Sequence, residues 1–332
     1  MTQHPFSRFV AILGRGKTKQ RHLTLEESRE AMGMLLRGET EPEQVGAFLM
    51  LLRLKEEAPE EIAGFAMGTR DTFDRPADLP AVDLDWSSYA GKRVQLPWYV
   101  LSALALVGAG YRVIMHGTEG HTPGRIYTRE VLETLGVPIA DSFAQAAEHV
   151  ADSGFAYMPL EVLSPPLKDM INLRPILGLR SPVHSFTRML NPFDAPAVVV
   201  GIFHRGFMDI HAGAARIMGM ESFSVFRGDG GEAERRPNKP TQVWTSHGSD
   251  APEVETWPTL IEGHAPKDEE MDVSRLVRVW AGAPDSYGEA AVIGSMAIAL
   301  KTMGRVSSMQ EADARAREIW EARDRARIPA AS

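Results

Sequence analysis

Residues 197–228 read "AVVVGIFHRGFMDIHAGAARIMGMESFSVFRG". The β-branched run 197–203 predicts a strand. The stretch 206–220 predicts a helix, and 222–228 a second strand. A strand, a helix and a strand in so short a span imply parallel strands joined by a crossover helix. The same alternation extends outward. Val82–Trp86 reads as a strand, Pro97–Val107 as a helix, and Arg112–Met115 as a strand ending in His116-Gly117. Arg129–Leu135 reads as a helix closed by Gly136, and 155–159 as a strand. The fold class is α/β, with a small N-terminal helical domain and a larger α/β domain built on a mainly parallel sheet.

Residues 1–75 carry the helical domain. Thr24 followed three positions later by Glu27 is a capping-box pattern. The stretches beginning at Pro42 and Pro59 enter helices through an acidic residue and a proline. The proline-rich segment 76–82 is a linker, and 76–330 forms the α/β domain. Residues 160–194 interrupt the alternation with prolines and short helical patterns, and the part 165–195 is expected to return to the helical domain.

The chain has 332 residues, 44% hydrophobic and 24% charged, with a formal charge of −8. Such a chain folds around a substantial core. Its acidity gives no global attraction to nucleic acid, so any such binding needs a local basic patch. There are no cysteines, which excludes disulfides, thiolate nucleophiles and sulfur-ligated metals. The N-terminus lacks the apolar core of a signal peptide, and no apolar run reaches the roughly 18 residues of a membrane helix. The expectation is a cytoplasmic protein that does not enter a membrane.

Several segments carry possible chemistry. "MHGTEGHTPGR" (115–125) places glycines after a strand, where backbone amides cradle anions. Residues 164–192 hold Lys168, Arg174, Arg180 and Arg188, whose side chains suit carboxylates and phosphates. Residues 226–240 place Asp229, Glu232 and Glu234 after a strand, beside Arg235, Arg236 and Lys239. The densest basic run is "GRGKTKQRH" (14–22), with Arg15, Lys17, Lys19 and Arg21. No nucleophile elbow, Walker motif or zinc-protease motif occurs.

The order of "GAGYRVIMHG", "EVLETLGV", "LRPILGLRS" and "LNP" resembles the glycosyltransferase family 3 proteins, anthranilate phosphoribosyltransferase and the pyrimidine nucleoside phosphorylases. The likeness runs over about residues 5–325. It implies a cleft between the two domains and a homodimer formed through the helical one. It also brings departures. The family's diphosphate loop, Gly-Thr-Gly-Gly-Asp, aligns with Ser87-Ser88-Tyr89-Ala90-Gly91, which keeps one glycine. Its Asn-x-Ser-Thr motif aligns with Pro97-Trp98-Tyr99-Val100. The lysine before His116-Gly117 is Met115, and the metal-binding Asp-Glu pair aligns with Ala233-Glu234. Lys168, Arg174 and Arg180 remain. The resemblance therefore implies weakened diphosphate and metal binding, with Glu234 the remaining metal carboxylate and Mg²⁺ required only if transfer survives.

A divergent branch of that family, the YbiB-like proteins, is similar at "GRGK" and at "SY-x-G". That branch implies sequence-independent nucleic-acid binding by a homodimer, here through Arg15, Lys17, Lys19 and Arg21. Three readings stand side by side: a non-catalytic dimer that binds phosphate backbones, an active transferase with an altered substrate, and a structural descendant with no ligand in the old site.

Overall fold

The computed structural model describes residues 3–16 and 18–328. The chain opens with helices α1 (Ser7–Gly14), α2 (Leu25–Leu36), α3 (Pro42–Lys55) and α4 (Pro59–Arg70). Thr24 caps α2 in the expected reciprocal way: its hydroxyl accepts from the Glu27 amide at 3.2 Å, and its own amide donates to the Glu27 carboxylate at 2.9 Å. Helices α2 and α4 pack backbone to backbone. A Cβ on Gly64 would stand 2.5 Å from the Leu25 carbonyl oxygen, and one on Gly68 2.5 Å from that of Arg29. Glycine at these two positions is therefore what lets the helices meet.

The α/β part runs β1 (Leu84–Ser88), α5 (Tyr99–Gly108), β2 (Val113–Gly117), α6 (Thr128–Thr134), α7 (Phe143–Ser153) and β3 (Phe155–Pro159). The short helices α8 (Leu160–Leu163), α9 (Pro165–Asn172), α10 (Arg174–Leu177) and α11 (Val183–Phe186) follow. Then come β4 (Ala197–Ile202), α12 (Phe207–Ile217), β5 (Ser222–Arg227), β6 (Thr241–His247) and β7 (Glu253–Trp257). Helices α13 (Ser274–Ala281), α14 (Ser286–Thr302) and α15 (Met309–Ala322) close the chain. The segment between β3 and β4 packs on the helical unit, where aromatic contacts run edge-on from Phe6 through Phe48 to Phe65 and then, with tilted rings, to Phe186 of α11.

The sheet order is β3-β2-β1-β4-β5-β6-β7, parallel from β3 to β5 and antiparallel at β6 and β7. Alternation along β4 divides the core: Val198, Val200 and Ile202 face the helical unit, while Ala197 and Val199 face α5 and α14. No described helix is long and apolar enough to cross a membrane.

One expected boundary needs correcting, and two strands are additions to the expected pattern. The sequence pattern does not announce β6 and β7, because β7 reads Glu-Val-Glu-Thr-Trp and is largely exposed at the sheet edge. Strand β1 also reaches further than expected, whereas β2 ends in His116-Gly117 as the sequence reading has it. Ser87 pairs with His116 and Ser88 with Gly117, so the two serines lie in a strand, not in an open loop. Their polar side chains hide the strand from a pattern reading but find partners inside.

The strand order reverses between β1 and β4. The crevice at the carboxyl ends of these two strands is a topological switch point, where open α/β sheets hold their ligands.

Candidate functional site

Four loops meet at that crevice: those after β1, β2, β4 and β5. At the end of β1 the hydroxyls close on one another. The Ser88 hydroxyl lies 2.7 Å from that of Thr128 and 3.0 Å from that of Tyr99. Beside them the buried Tyr89 hydroxyl meets His116 Nδ1 at 2.7 Å, and His116 Nε2 meets the Asp85 carboxylate at 3.2 Å. Burial, reinforced by the Asp85 charge, holds the Tyr89 phenol well above its ordinary range, so this chain of groups supplies no phenolate. Gly117 permits the close approach of the two strand ends, since a Cβ there would stand 2.0 Å from the Ser88 carbonyl oxygen.

Beyond Tyr89 the backbone turns through Gly91 at φ +69°. The amides of Ala90 (2.7 Å) and Gly91 both donate to Glu232 Oε1. The next side chain, Lys92, is fully buried, and its ammonium donates to Asp229 and to Glu234. The second oxygen of Glu234 accepts from the Tyr99 amide at 3.0 Å, at the start of α5. Burial pushes the Lys92 ammonium down, but Glu234 and Asp229 outweigh it and the net direction is up. Burial also lifts the Glu234 carboxyl to about 7 against the pull of Lys92. The metal that the resemblance attaches to this position does not fit. Asp229 and Glu234 already converge on an internal ammonium, whose charge repels a dication. Among the described residues no group of three His, Asp or Glu side chains is arranged to hold a metal.

The cations singled out in the sequence converge on the loop after β2. Lys168 donates to the Thr118 hydroxyl and the Glu119 carbonyl, each at 2.8 Å. Arg174 donates to the His121 carbonyl at 2.7 Å and to the Thr122 hydroxyl at 2.8 Å, and Arg180 donates to the same hydroxyl at 2.8 Å. Arg125, which the sequence reading missed, donates to the Ala90 and Gly91 carbonyls at 2.8 and 3.0 Å. Arg188 donates to the Gly201 carbonyl at 3.1 Å. A cleft of about 620 Å³, its open mouth included, lies between the helical unit and the ends of β4 and α12; Arg53, Arg180, His184, Arg188, Phe203 and His204 line it.

Among the described residues, Arg53, Arg125, Arg174, Arg180 and Arg188 make no ion pair with a carboxylate; those with hydrogen bonds give them to neutral oxygens. Burial, then the like charges of Arg125 and Arg174, press the Arg180 guanidinium below its ordinary range. Burial and Arg180 depress His121 to about 3, and burial with His121 and Arg188 holds His184 well below the usual imidazole range. The imidazoles stay neutral, and the arginines supply a positive field with no carboxylate paired directly to them, although the charge of Glu232 acts on Arg188. Such a cleft favours an anion.

The basic run near the N-terminus is not uniform. Arg15 and Lys19 are exposed, and Lys17 lies outside the described residues. Arg21 is held by both Glu27 oxygens at 2.6 and 2.7 Å. The run borders the end of α3: a Cβ on Gly14 would stand 3.3 Å from the Leu51 side chain, and Lys55 contacts His22. Arg53 at that same end lines the cleft. Lys92, Arg125 and Arg53 were not singled out in the sequence. A lysine beside Arg93 looks like a solvated pair, and nothing local reveals that its partners are acids of a distant loop.

Comparison with known proteins places these features in a family. The family described as "Glycosyl transferase family, helical bundle domain" matches residues 11–73, and "Glycosyl transferase family, a/b domain" matches residues 99–322. An anthranilate phosphoribosyltransferase of Prochlorococcus marinus (strain NATL1A) is 29% identical over 211 residues, 63% of this chain and 61% of that protein. The match thus spans about three fifths of that relative's length. An uncharacterized protein of Aquifex aeolicus is 30% identical over 260 residues, 77% of this chain and 78% of its own. Among solved structures, anthranilate phosphoribosyltransferase from Thermus thermophilus superposes with a TM-score of 0.78 at 22% identity, covering 96% of this chain and 94% of that one. The Saccharomyces cerevisiae enzyme in complex with PRPP and Mg gives 0.78 at 16% identity, covering 97% and 94%. These likenesses share the fold described above.

Proposed function

The chain belongs to the glycosyl transferase family of paired helical-bundle and a/b domains, and from that premise we propose that it is a member that binds phosphate backbones instead of transferring a phosphoribosyl group. Its ligand on this reading is nucleic acid, held in the cleft between the helical unit and the sheet and along the basic segment 15–21. One observation carries the reading: Arg53, Arg180 and Arg188, which among the described residues make no ion pair with a carboxylate, line the cleft, with Arg125 and Arg174 close to Arg180, while the groups at the strand ends are engaged with one another. Arg53 links this cleft to the turn of α3 that borders the basic segment. The protein acts as a homodimer, a reading supported by Leu54 on α3 and Ile176 on α10, which are 79% and 80% exposed.

The test is fluorescence anisotropy with a labelled oligonucleotide at two salt concentrations. Counterion release gives an affinity that falls steeply with salt and barely depends on base sequence. Replacing Arg180 by Ala is expected to weaken binding to every sequence and to flatten the salt slope by about 1. Absence of binding at low salt defeats the reading.

A second reading, a transferase with an altered substrate, draws support from Lys168, Arg174 and Arg180 around the loop after β2 and from relatives that bear the anthranilate phosphoribosyltransferase name. Consumption of phosphoribosyl diphosphate in the presence of anthranilate and Mg²⁺, at turnover within the common range of about 1–10³ s⁻¹, would establish it in place of the first.

A further inference from the structure

The crevice at the switch point contains three cradles for ions. The adjacent amides of Ala90 and Gly91 point together at one place, as anion-binding backbone nests do. The start of α5 presents the Tyr99 amide, at the positive end of a helix. Asp229 and Glu234 converge as a carboxylate pair, a cradle for a cation. Each is filled by a side chain of opposite charge from this same chain. Glu232 sits on the amide nest, Glu234 on the helix start, and Lys92 between the two carboxylates.

The filling is built into the fold. Lys92, Glu232 and Glu234 are each at most 1% exposed. The segment that carries the glutamates lies hard against β4 and its own approach. A Cβ on Gly201 would stand 2.0 Å from the Glu232 backbone, and one on Gly228 1.6 Å from the Glu232 carbonyl oxygen. Lys92 is further fixed by backbone hydrogen bonds in both directions with Ile126, each 2.8 Å. One group is left over. Glu232 Oε2 is buried and, among the described residues, has no hydrogen-bond partner, so the carboxylate is bound to the nest through one oxygen only.

We propose that Lys92 and Glu232 are built-in occupants of a combined cation–anion site, the ammonium standing in for a divalent cation and the carboxylate for a phosphate group. The native protein therefore does not take up a divalent cation with a diphosphate at this place. The cradles persist beneath their occupants. Removing the ammonium leaves Asp229 and Glu234 as a divalent-cation site, and removing the Glu232 carboxylate leaves the amide nest open to a phosphate. This inference concerns the strand ends and is independent of nucleic-acid binding at the arginine-lined cleft.

The experiment uses the full chain with Mn²⁺ as cation probe, followed by electron paramagnetic resonance, and inorganic pyrophosphate as anion probe, followed by calorimetry. Wild type is expected to bind neither saturably at millimolar concentration. Lys92→Ala is expected to gain saturable Mn²⁺ binding at least tenfold tighter than wild type, with a rise in melting temperature on adding Mn²⁺. Glu232→Ala is expected to gain pyrophosphate binding by at least the same factor, whereas Glu232→Gln, which keeps an acceptor on the nest, is not. Saturable uptake of Mn²⁺ with pyrophosphate by wild type overturns the proposal. So do a folded Lys92→Ala and a folded Glu232→Ala that bind no better than wild type. Should Lys92→Ala fail to fold, the wild-type titration and Glu232→Ala decide the question.

Discussion

Glu57, in the turn between α3 and α4, is 4% exposed and makes no ion pair among the described residues. Burial lifts its carboxyl from 4.5 to about 7, against the weaker pull of Arg53. A folded-state value above the unfolded one means that the contribution to stability is fully present below pH 4.5 and lost as pH rises through 7. The loss amounts to roughly 3 kcal/mol at about 1.4 kcal/mol per unit. Glu57→Gln is therefore expected to melt higher than wild type at pH 8 and to show a smaller drop between pH 5 and pH 8 in thermal unfolding. Equal drops in the two proteins would refute this. At the same scale, the basic run separates into unequal parts. Arg21 is engaged by Glu27, while Lys19 is exposed and, among the described residues, makes no such ion pair. If the run contacts phosphates, Lys19→Ala should flatten the salt dependence of oligonucleotide binding by about 0.7–0.9, and Arg21→Ala by clearly less. The sequence offers four similar cations; the difference comes from a carboxylate six residues away on α2.

At the scale of elements, glycine positions decide which backbones can touch. Gly64→Ala puts a methyl group 2.5 Å from both the Leu25 carbonyl oxygen and the Ser28 Cβ, so α2 and α4 must separate. Overpacking of this kind costs about 1–3 kcal/mol, to be read from the midpoint of urea unfolding; an unchanged midpoint would mean that the helices part freely. The elements themselves were unevenly legible. The capping box of α2, the proline entries of α3 and α4 and the apolar run of β4 are local signals, and each stands where the sequence puts it. The end of β1 was not legible, because Ser87 and Ser88 are polar and their strand conformation follows from pairing. At β7 the exposed, charge-alternating sequence carries little signal, and pairing to β6 supplies the structure.

For the whole molecule, the net charge of −8 conceals an uneven distribution. Acidic residues dominate the total, yet the cleft is lined by arginines without carboxylate partners. The exposed Leu54 and Ile176 on the helical side give the homodimer reading a concrete test. Light scattering at micromolar concentration is expected to return twice the 36.5 kDa chain mass, and Leu54→Glu with Ile176→Glu should shift it toward the monomer. A monomer mass for the wild type would remove the dimer. By itself the sequence determined the helical unit, the largely parallel sheet and the family, because periodicity, caps and motif order are properties of neighbouring residues. It also placed Lys168, Arg174 and Arg180 among the candidate cations without saying what they touch. Only the tertiary structure decided the chemistry of the strand ends. Glu232 reaches Gly91 across 141 positions, and Lys92 reaches Glu234 across 142. A lysine has the same local sequence whether it ends in water or between two buried carboxylates. The strand order, which brings the ends of β1, β4 and β5 together, settles which of the two it is.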